Sequence, residues 1–134
     1  MTSMPAQATV RRFVACINAH DARGIVELCT ADHSFIDGLG TRVSDLRLVE
    51  RGWEEYFALF PDYRIELETI ASGGEIVLAS GWASATHANS KAALRIPAAW
   101  RATVRHGRVA QWQVYADNKP IYELLARANT RATP

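Results

Sequence analysis

What most constrains this chain is the order of two hydrophobic periods. A spacing near 3.6 runs through the first half, and a spacing of 2 runs through the second. From Ala8 to Ala19, apolar residues fall at Val10, Val14 and Ile17, with Phe13 and Cys16 widening the stripe, which is the pattern of an amphipathic helix. His20-Asp21 breaks it, and Asp21 can cap a second short helix carrying Ile25, Val26, Leu28 and Cys29. A brief strand from His33 to Asp37 follows, stopped by Gly38-Leu39-Gly40. Ser44 is placed to cap a third helix, with Leu46, Val49, Trp53, Phe57 and Phe60 at helical spacing until Pro61 ends it.

Beyond Pro61 the period changes. Tyr63, Ile65, Leu67 and Thr69 alternate with Arg64, Glu66 and Glu68, and Gly73-Gly74 supplies a turn. Strands are expected over Ile76 to about His87, over Pro97 to Arg105, and, after the His106-Gly107 turn, over Arg108 to Ala116. Lys119-Pro120 starts a short terminal helix through Leu124 and Leu125. Helices at the front and strands at the back make an α+β domain: a curved antiparallel sheet wrapped by three helices of the N-terminal half, forming a cone whose mouth is a pocket. One domain spanning 8–127 is expected, with flexible segments at 1–7 and 128–134.

Charge narrows the partners. Lys+Arg of 15 against Asp+Glu of 14 gives a net charge of +1. Thirteen of those basic residues are Arg, scattered so that Arg11-Arg12 is their only adjacent pair, which offers no footprint for nucleic acid or an anionic membrane. No apolar run approaches a membrane span, and residues 1–7 show no signal-peptide pattern, so the expected location is cytoplasmic. Cys16 and Cys29 sit among apolar neighbours and read as small buried hydrophobes. There is no zinc-ligand spacing and no Gly-rich phosphate loop, so no metal and no organic cofactor is expected.

Five stretches carry a resemblance: Phe13 to Asp21, Leu28 to Asp32, Phe35-Ile36-Asp37, Phe60-Pro61-Asp62 and Gly107 to Trp112. Over about residues 8–127 the chain resembles the SnoaL-like polyketide cyclases and ketosteroid isomerases of the nuclear transport factor 2-like superfamily. That likeness implies a cone-shaped fold, a small apolar or polycyclic carbonyl ligand, acid/base proton transfer without a cofactor, and a homodimer formed through the sheet. Isomerisation and aldol-type cyclisation are the expected reactions. A non-catalytic binding or dimerisation module is the alternative, with epoxide hydrolase or dehydratase chemistry behind it.

By the same resemblance Asp37 stands where the isomerases keep their general base, and Asp117 and His87 are further catalytic candidates, with Tyr115 a possible assistant. Asp before Gly is also a common turn residue, and Asp117 also suits a helix cap. The isomerases' hydrogen-bond donors correspond to Phe13, Phe57 and Ala99, none of which can donate, so their oxyanion hole is missing. The relay acid of the epoxide hydrolases is sought after Trp112, where Val114 stands. Strand parity puts Trp112, Val114 and Ala116 on one face of the last strand and Gln111, Gln113, Tyr115 and Asp117 on the other; the resemblance implies that the first set faces the cone, which leaves Gln111, Gln113 and Tyr115 as dimer contacts. The ligand contacts expected are Phe13, His33, Phe35, Trp53, Phe57, Ser80, Trp82, Ala99, Arg101, Trp112, Val114 and Tyr115. Of these, Ser80 or Arg101 could supply the absent hydrogen bond.

Overall fold

A computed structural model describes residues 3–132, with side chains over residues 5–127. The elements are α1 (Ser3–Asn18), α2 (Ala22–Glu27), β1 (Cys29–Ile36), β2 (Arg42–Val43), α3 (Leu46–Leu59), β3 (Arg64–Gly73), β4 (Ile76–Thr86), β5 (Ala93–Arg105), β6 (Arg108–Ala116) and α4 (Lys119–Ala132). The six strands form one sheet in the order β2-β1-β6-β5-β4-β3. The pairings are antiparallel except that β1 runs parallel to β6, placing Phe35 beside Trp112.

Several boundaries differ from the sequence reading for local reasons. Asp45 rather than Ser44 caps α3, its Oδ1 accepting from Arg47 N at 2.9 Å, while the Ser44 hydroxyl meets that of Ser34 at 3.1 Å. β1 begins at Cys29 and ends before Asp37, so Asp37 belongs to the following turn. α1 starts at Ser3 and α4 continues to Ala132, so the segments 1–7 and 128–134 are helical over their described parts; Met1, Thr2, Thr133 and Pro134 lie outside the described residues.

The sheet has two unlike faces. On its concave side Val77, Ala79, Ala98, Trp100, Ala102 and Trp112 are buried against Val10, Phe13, Val14 and Ile17 of α1 and Val49, Trp53 and Phe57 of α3. Removing each large side chain of this set from water contributes about 1.5–3 kcal/mol. A smaller cluster joins Phe60, Ala85 and Ile96 to Ile121 and Leu124 of α4. The convex face keeps Leu78 and Tyr115 about half exposed.

The sheet curves where β3 carries one extra residue. Leu67 pairs with Gly81 and Thr69 with Ser80, which leaves Glu68 without a partner and resets the alternation. Ile70 and Ser72, rather than Thr69, are therefore the partly buried residues beyond it. β3 presses onto β4 there so closely that a Cβ at position 81 would collide with the Glu66 carbonyl, a contact only glycine permits.

Candidate functional site

A cavity of about 370 Å³ opens at one end of the cone. β1 contributes Phe35, α3 contributes Leu48, Val49, Gly52, Trp53 and Tyr56, and the loop before β3 contributes Tyr63. The sheet floor is Ala83, Ala98, Trp100, Val114 and Ala116, and α4 closes one side with Ile121, Tyr122 and Leu125. Asp37, Gly38 and Asn118 sit at the junction of these elements. Its size and mostly apolar walls suit one small organic molecule.

Two neighbouring phenols are among the polar groups that line the cavity. Tyr56 and Tyr63 meet edge to face with ring centroids 5.0 Å apart. Neither hydroxyl has a hydrogen-bond partner among the described residues. Burial, with a smaller contribution from Tyr122, pushes Tyr56 up to about 12, and burial together with Tyr56 raises Tyr63 further. Both phenols therefore stay protonated at neutral pH and are available as donors.

The sequence around α1 explains how Tyr63 is held. Asn18 acts as a surrogate strand residue: its Nδ2 donates to Ile65 O at 3.0 Å and its Oδ1 accepts from Ile65 N at 2.8 Å. His20, in the left-handed region at φ 57°, places Nε2 2.8 Å from the Tyr63 carbonyl oxygen. That carbonyl can only accept, so Nε2 carries the hydrogen. The same imidazole stacks flat on Phe57 at 4.3 Å. Phe57 thus supports the cavity from behind and does not line it.

Asp37 lines the cavity, but most of its bonding serves the turn. Its Oδ1 accepts from Leu39 N and Thr41 N, both at 2.9 Å, and its backbone closes the loop through Gly40 N to Asp37 O and Asp37 N to Thr41 O. Oδ2 accepts no hydrogen bond among the described residues. One carboxylate oxygen is structural, then, and the other is free.

Of the residues expected from sequence, the cavity brings together Asp37, Phe35, Trp53 and Val114. Asp117 is exposed at the start of α4, its Oδ1 accepting from Lys119 N at 3.3 Å, which is a capping role away from the cavity. His87 is not a solvated residue at the rim and does not line the cavity: it is 1% exposed, packs on Phe60, and its Nδ1 accepts from Ser90 N and the Ser90 hydroxyl. Ser80, Trp82, Ala99 and Arg101, expected as ligand contacts, lie on the opposite face of the sheet. Val77, Ala79 and Ala85 point inward, so Ser80 and Trp82 face the convex side, where the Arg95 guanidinium covers Trp82 at 3.9 Å. Ala98 and Trp100 point inward, so Ala99 and Arg101 also lie on the convex side. Tyr115 joins them there, as its parity required.

Phe13, His33 and Trp112 form a packed layer deeper than the cavity. Phe13 lies 4.8 Å from Trp112 and 6.4 Å from His33, and all three are fully buried. His33 donates from Nδ1 to Val109 O at 2.8 Å, which leaves Nε2 without a partner, as is Trp112 Nε1. Burial holds the His33 imidazole below its ordinary pKa despite that bond and the nearby Asp32.

Sequence reasoning missed Tyr56, Tyr63 and Tyr122, and it weighed Trp100 as a lining ring without keeping it among the expected contacts. Trp100 was within reach, since strand parity counted from Trp112 through its cross-strand neighbours would have turned it inward. Among the described residues no three His, Cys, Asp or Glu come together as a metal-ligand group, and no helix is long and apolar enough to cross a membrane.

The SnoaL-like domain model matches residues 10–112. This chain belongs to the SnoaL-like family. Its structure is similar to a protein from Jannaschia sp. CCS1 proposed to be a SnoaL-like polyketide cyclase, at 17% identity over 98% of this chain and 94% of that one, with a TM-score of 0.78. It is equally similar to AclR from Streptomyces galilaeus, a proposed hydroxylase, at 19% identity over 95% and 98% of the two chains, TM-score 0.78. A hypothetical protein of ketosteroid isomerase-like fold from Catenulispora acidiphila DSM 44928, in complex with trimethylamine, aligns at 14% identity over 80% and 83%, TM-score 0.74. No curated protein matches the sequence. At these identities the likeness to SnoaL-like structures establishes the shared fold and leaves the chemistry to the site.

Proposed function

We propose that this SnoaL-like domain binds a small, largely apolar, carbonyl-bearing ligand in the cavity, the carbonyl oxygen accepting from Tyr56 and Tyr63. The observation that carries this reading is that two tyrosines whose hydroxyls have no hydrogen-bond partner among the described residues line the same mostly apolar cavity. Such groups are satisfied by water in the open cavity or by an acceptor that a ligand supplies. They also fill the role left empty by Phe13, Phe57 and Ala99. A structural relative in complex with trimethylamine supports the view that a cone of this kind accepts a small organic guest.

The second reading adds chemistry. Asp37 borders the same cavity as Tyr56 and Tyr63, and its Oδ2 accepts no hydrogen bond among the described residues; turned toward the ligand, that oxygen and the two phenols would be the minimum set for removing a proton next to a carbonyl while the phenols stabilise the enolate oxygen. Reprotonation at another carbon would be isomerisation, and attack on a second carbonyl would be aldol-type cyclisation. The two bonds to Oδ1 favour the simpler binding role. Epoxide hydrolysis ranks below both, because Arg101 faces away from the cavity and Val114 stands where the relay acid was sought.

Binding and catalysis separate in one experiment. Cyclohexenone is titrated against the wild type, Tyr56→Phe, Tyr63→Phe and Asp37→Asn, and deuterium uptake from D2O is followed by NMR. Loss of affinity in both Phe variants supports the carbonyl site, and unchanged affinity refutes it. Deuterium uptake that disappears in Asp37→Asn makes the protein an enzyme; binding without uptake makes it a binding module. Dimerisation through Leu78, Gln111, Gln113 and Tyr115 on the convex face is tested by sedimentation of wild type and Tyr115→Glu.

A further inference from the structure

We infer that the ligand of this cavity carries a tertiary or quaternary ammonium group. The inference rests on the reading above that the cavity is a ligand site, and it adds the ligand's charge.

The first argument is the balance of charge in the wall. The chain holds 15 basic and 14 acidic residues, yet among the described residues the only charged side chain lining the cavity is Asp37, with no Lys, Arg or His beside it. An anion would meet an uncompensated carboxylate in surroundings of low polarity, whereas a cation compensates it. The ion pair between Arg47 and Asp45 at the start of α3 is exposed and includes no residue lining the cavity.

The second argument is the kind of apolar surface. Six rings line the cavity, and Phe35, Trp53, Tyr56, Tyr63, Trp100 and Tyr122 come from different parts of the fold. The face of an aromatic ring carries negative electrostatic potential and attracts an organic cation, most strongly for Trp. Aliphatic walls would serve a purely apolar guest equally well without this bias.

The third argument is shape. Phe35 and Trp53 stand at 78°, with centroids 5.7 Å apart, and Tyr56 and Tyr63 stand at 87°. Rings set nearly at right angles make corners. A round group with methyls on every side can touch two walls of a corner together, while a flat ring lies against only one. Geometry therefore favours an onium head over a flat polycycle at these positions, with an oxygen elsewhere in the same molecule meeting the phenols.

The test uses choline, its neutral carbon isostere in which a tert-butyl group replaces the trimethylammonium group, and cyclohexenone, each titrated by calorimetry into the full chain. Choline is expected to bind at least about tenfold tighter than the isostere. That preference is expected to shrink severalfold in Asp37→Asn and in Trp53→Leu, with the isostere's affinity serving as a check that each variant keeps its cavity. Equal binding of choline and the isostere overturns the cationic ligand, and cyclohexenone binding then leaves the carbonyl reading standing. A choline preference that survives both substitutions also overturns it, since the cation would then bind outside this wall. If none of the three probes binds, the inference and the reading beneath it fall together.

Discussion

The two ends of the cone are built from the same kinds of residue and put to opposite uses. At the closed end Phe13, His33 and Trp112 are fully buried and in ring-to-ring contact. At the open end Phe35, Trp53, Tyr56, Tyr63, Trp100 and Tyr122 surround about 370 Å³ of space. Each end also holds polar atoms without partners: His33 Nε2 and Trp112 Nε1 in the one, two phenol hydroxyls in the other. What separates them is α1, whose Val10, Phe13, Val14 and Ile17 fill the closed end while α3 and α4 stand apart at the mouth. Aromatic content alone therefore does not identify a binding site; the space left between the helices and the sheet does.

The largest expected effect tests the closed end as core. Trp112→Ala should cost about 3–5 kcal/mol in urea unfolding, while Leu48→Ala, half exposed at the mouth, should cost under about 1 kcal/mol. Comparable losses would show that the mouth is as tightly packed as the base and would break the contrast.

Next in size is a pH effect confined to the closed end. Burial holds folded His33 below its ordinary 6.5, so as pH falls the unfolded chain takes up the proton first. Stability from this group is complete above about pH 6.5 and is lost as pH falls toward the folded-state value, with a slope of at most about 1.4 kcal/mol per pH unit. Unfolding curves from pH 7.5 down to 5 should show that slope in wild type and not in His33→Phe. On the alkaline side, Tyr56 and Cys29 both titrate near 12 when folded, so their contributions persist below their ordinary values and disappear as pH rises toward 12.

At the mouth, Tyr56→Phe should leave thermal stability unchanged or slightly higher, because it removes a hydroxyl that bonds nothing in the empty cavity. The same change should weaken cyclohexenone binding by about 3–10-fold. A loss of stability instead would reveal an internal partner for that hydroxyl. The smallest effect belongs to Asp117→Asn, which should alter ligand affinity by less than about twofold and stability by less than about 0.5 kcal/mol.

How much of this was legible in the sequence depended on whether alternation was sharp. β6 alternates clearly, and Trp112, Val114 and Ala116 do face inward. β4 is Ala, Ser and Gly between larger residues, with Trp82 as its one large ring, so nothing in its pattern says that Trp82 points outward beneath Arg95. On β5 no parity was available: Ala99 was expected at the ligand only through the likeness to the isomerases and Arg101 only as a donor, and both alternate with the inward Ala98, Trp100 and Ala102. Asp37 was legible as a turn residue because Asp before Gly has a local cause, and its free oxygen was not, because that depends on which face the turn presents. Tyr56 and Tyr63 gave no signal. A tyrosine on an amphipathic helix and another at a strand entrance look ordinary until α4 and the sheet enclose them.

Gly81 has a consequence for how such a molecule can diversify. The close approach of β3 to β4 at Glu66 and the unpaired Glu68 bend the sheet, and neither residue reaches the cavity. The vessel's form is written in backbone geometry on one flank, and its contents are chosen by side chains on α3, α4 and the opposite strands. Mutations can therefore exchange one guest for another without redrawing the container, while a single methyl group at position 81 would spoil the container for every guest at once.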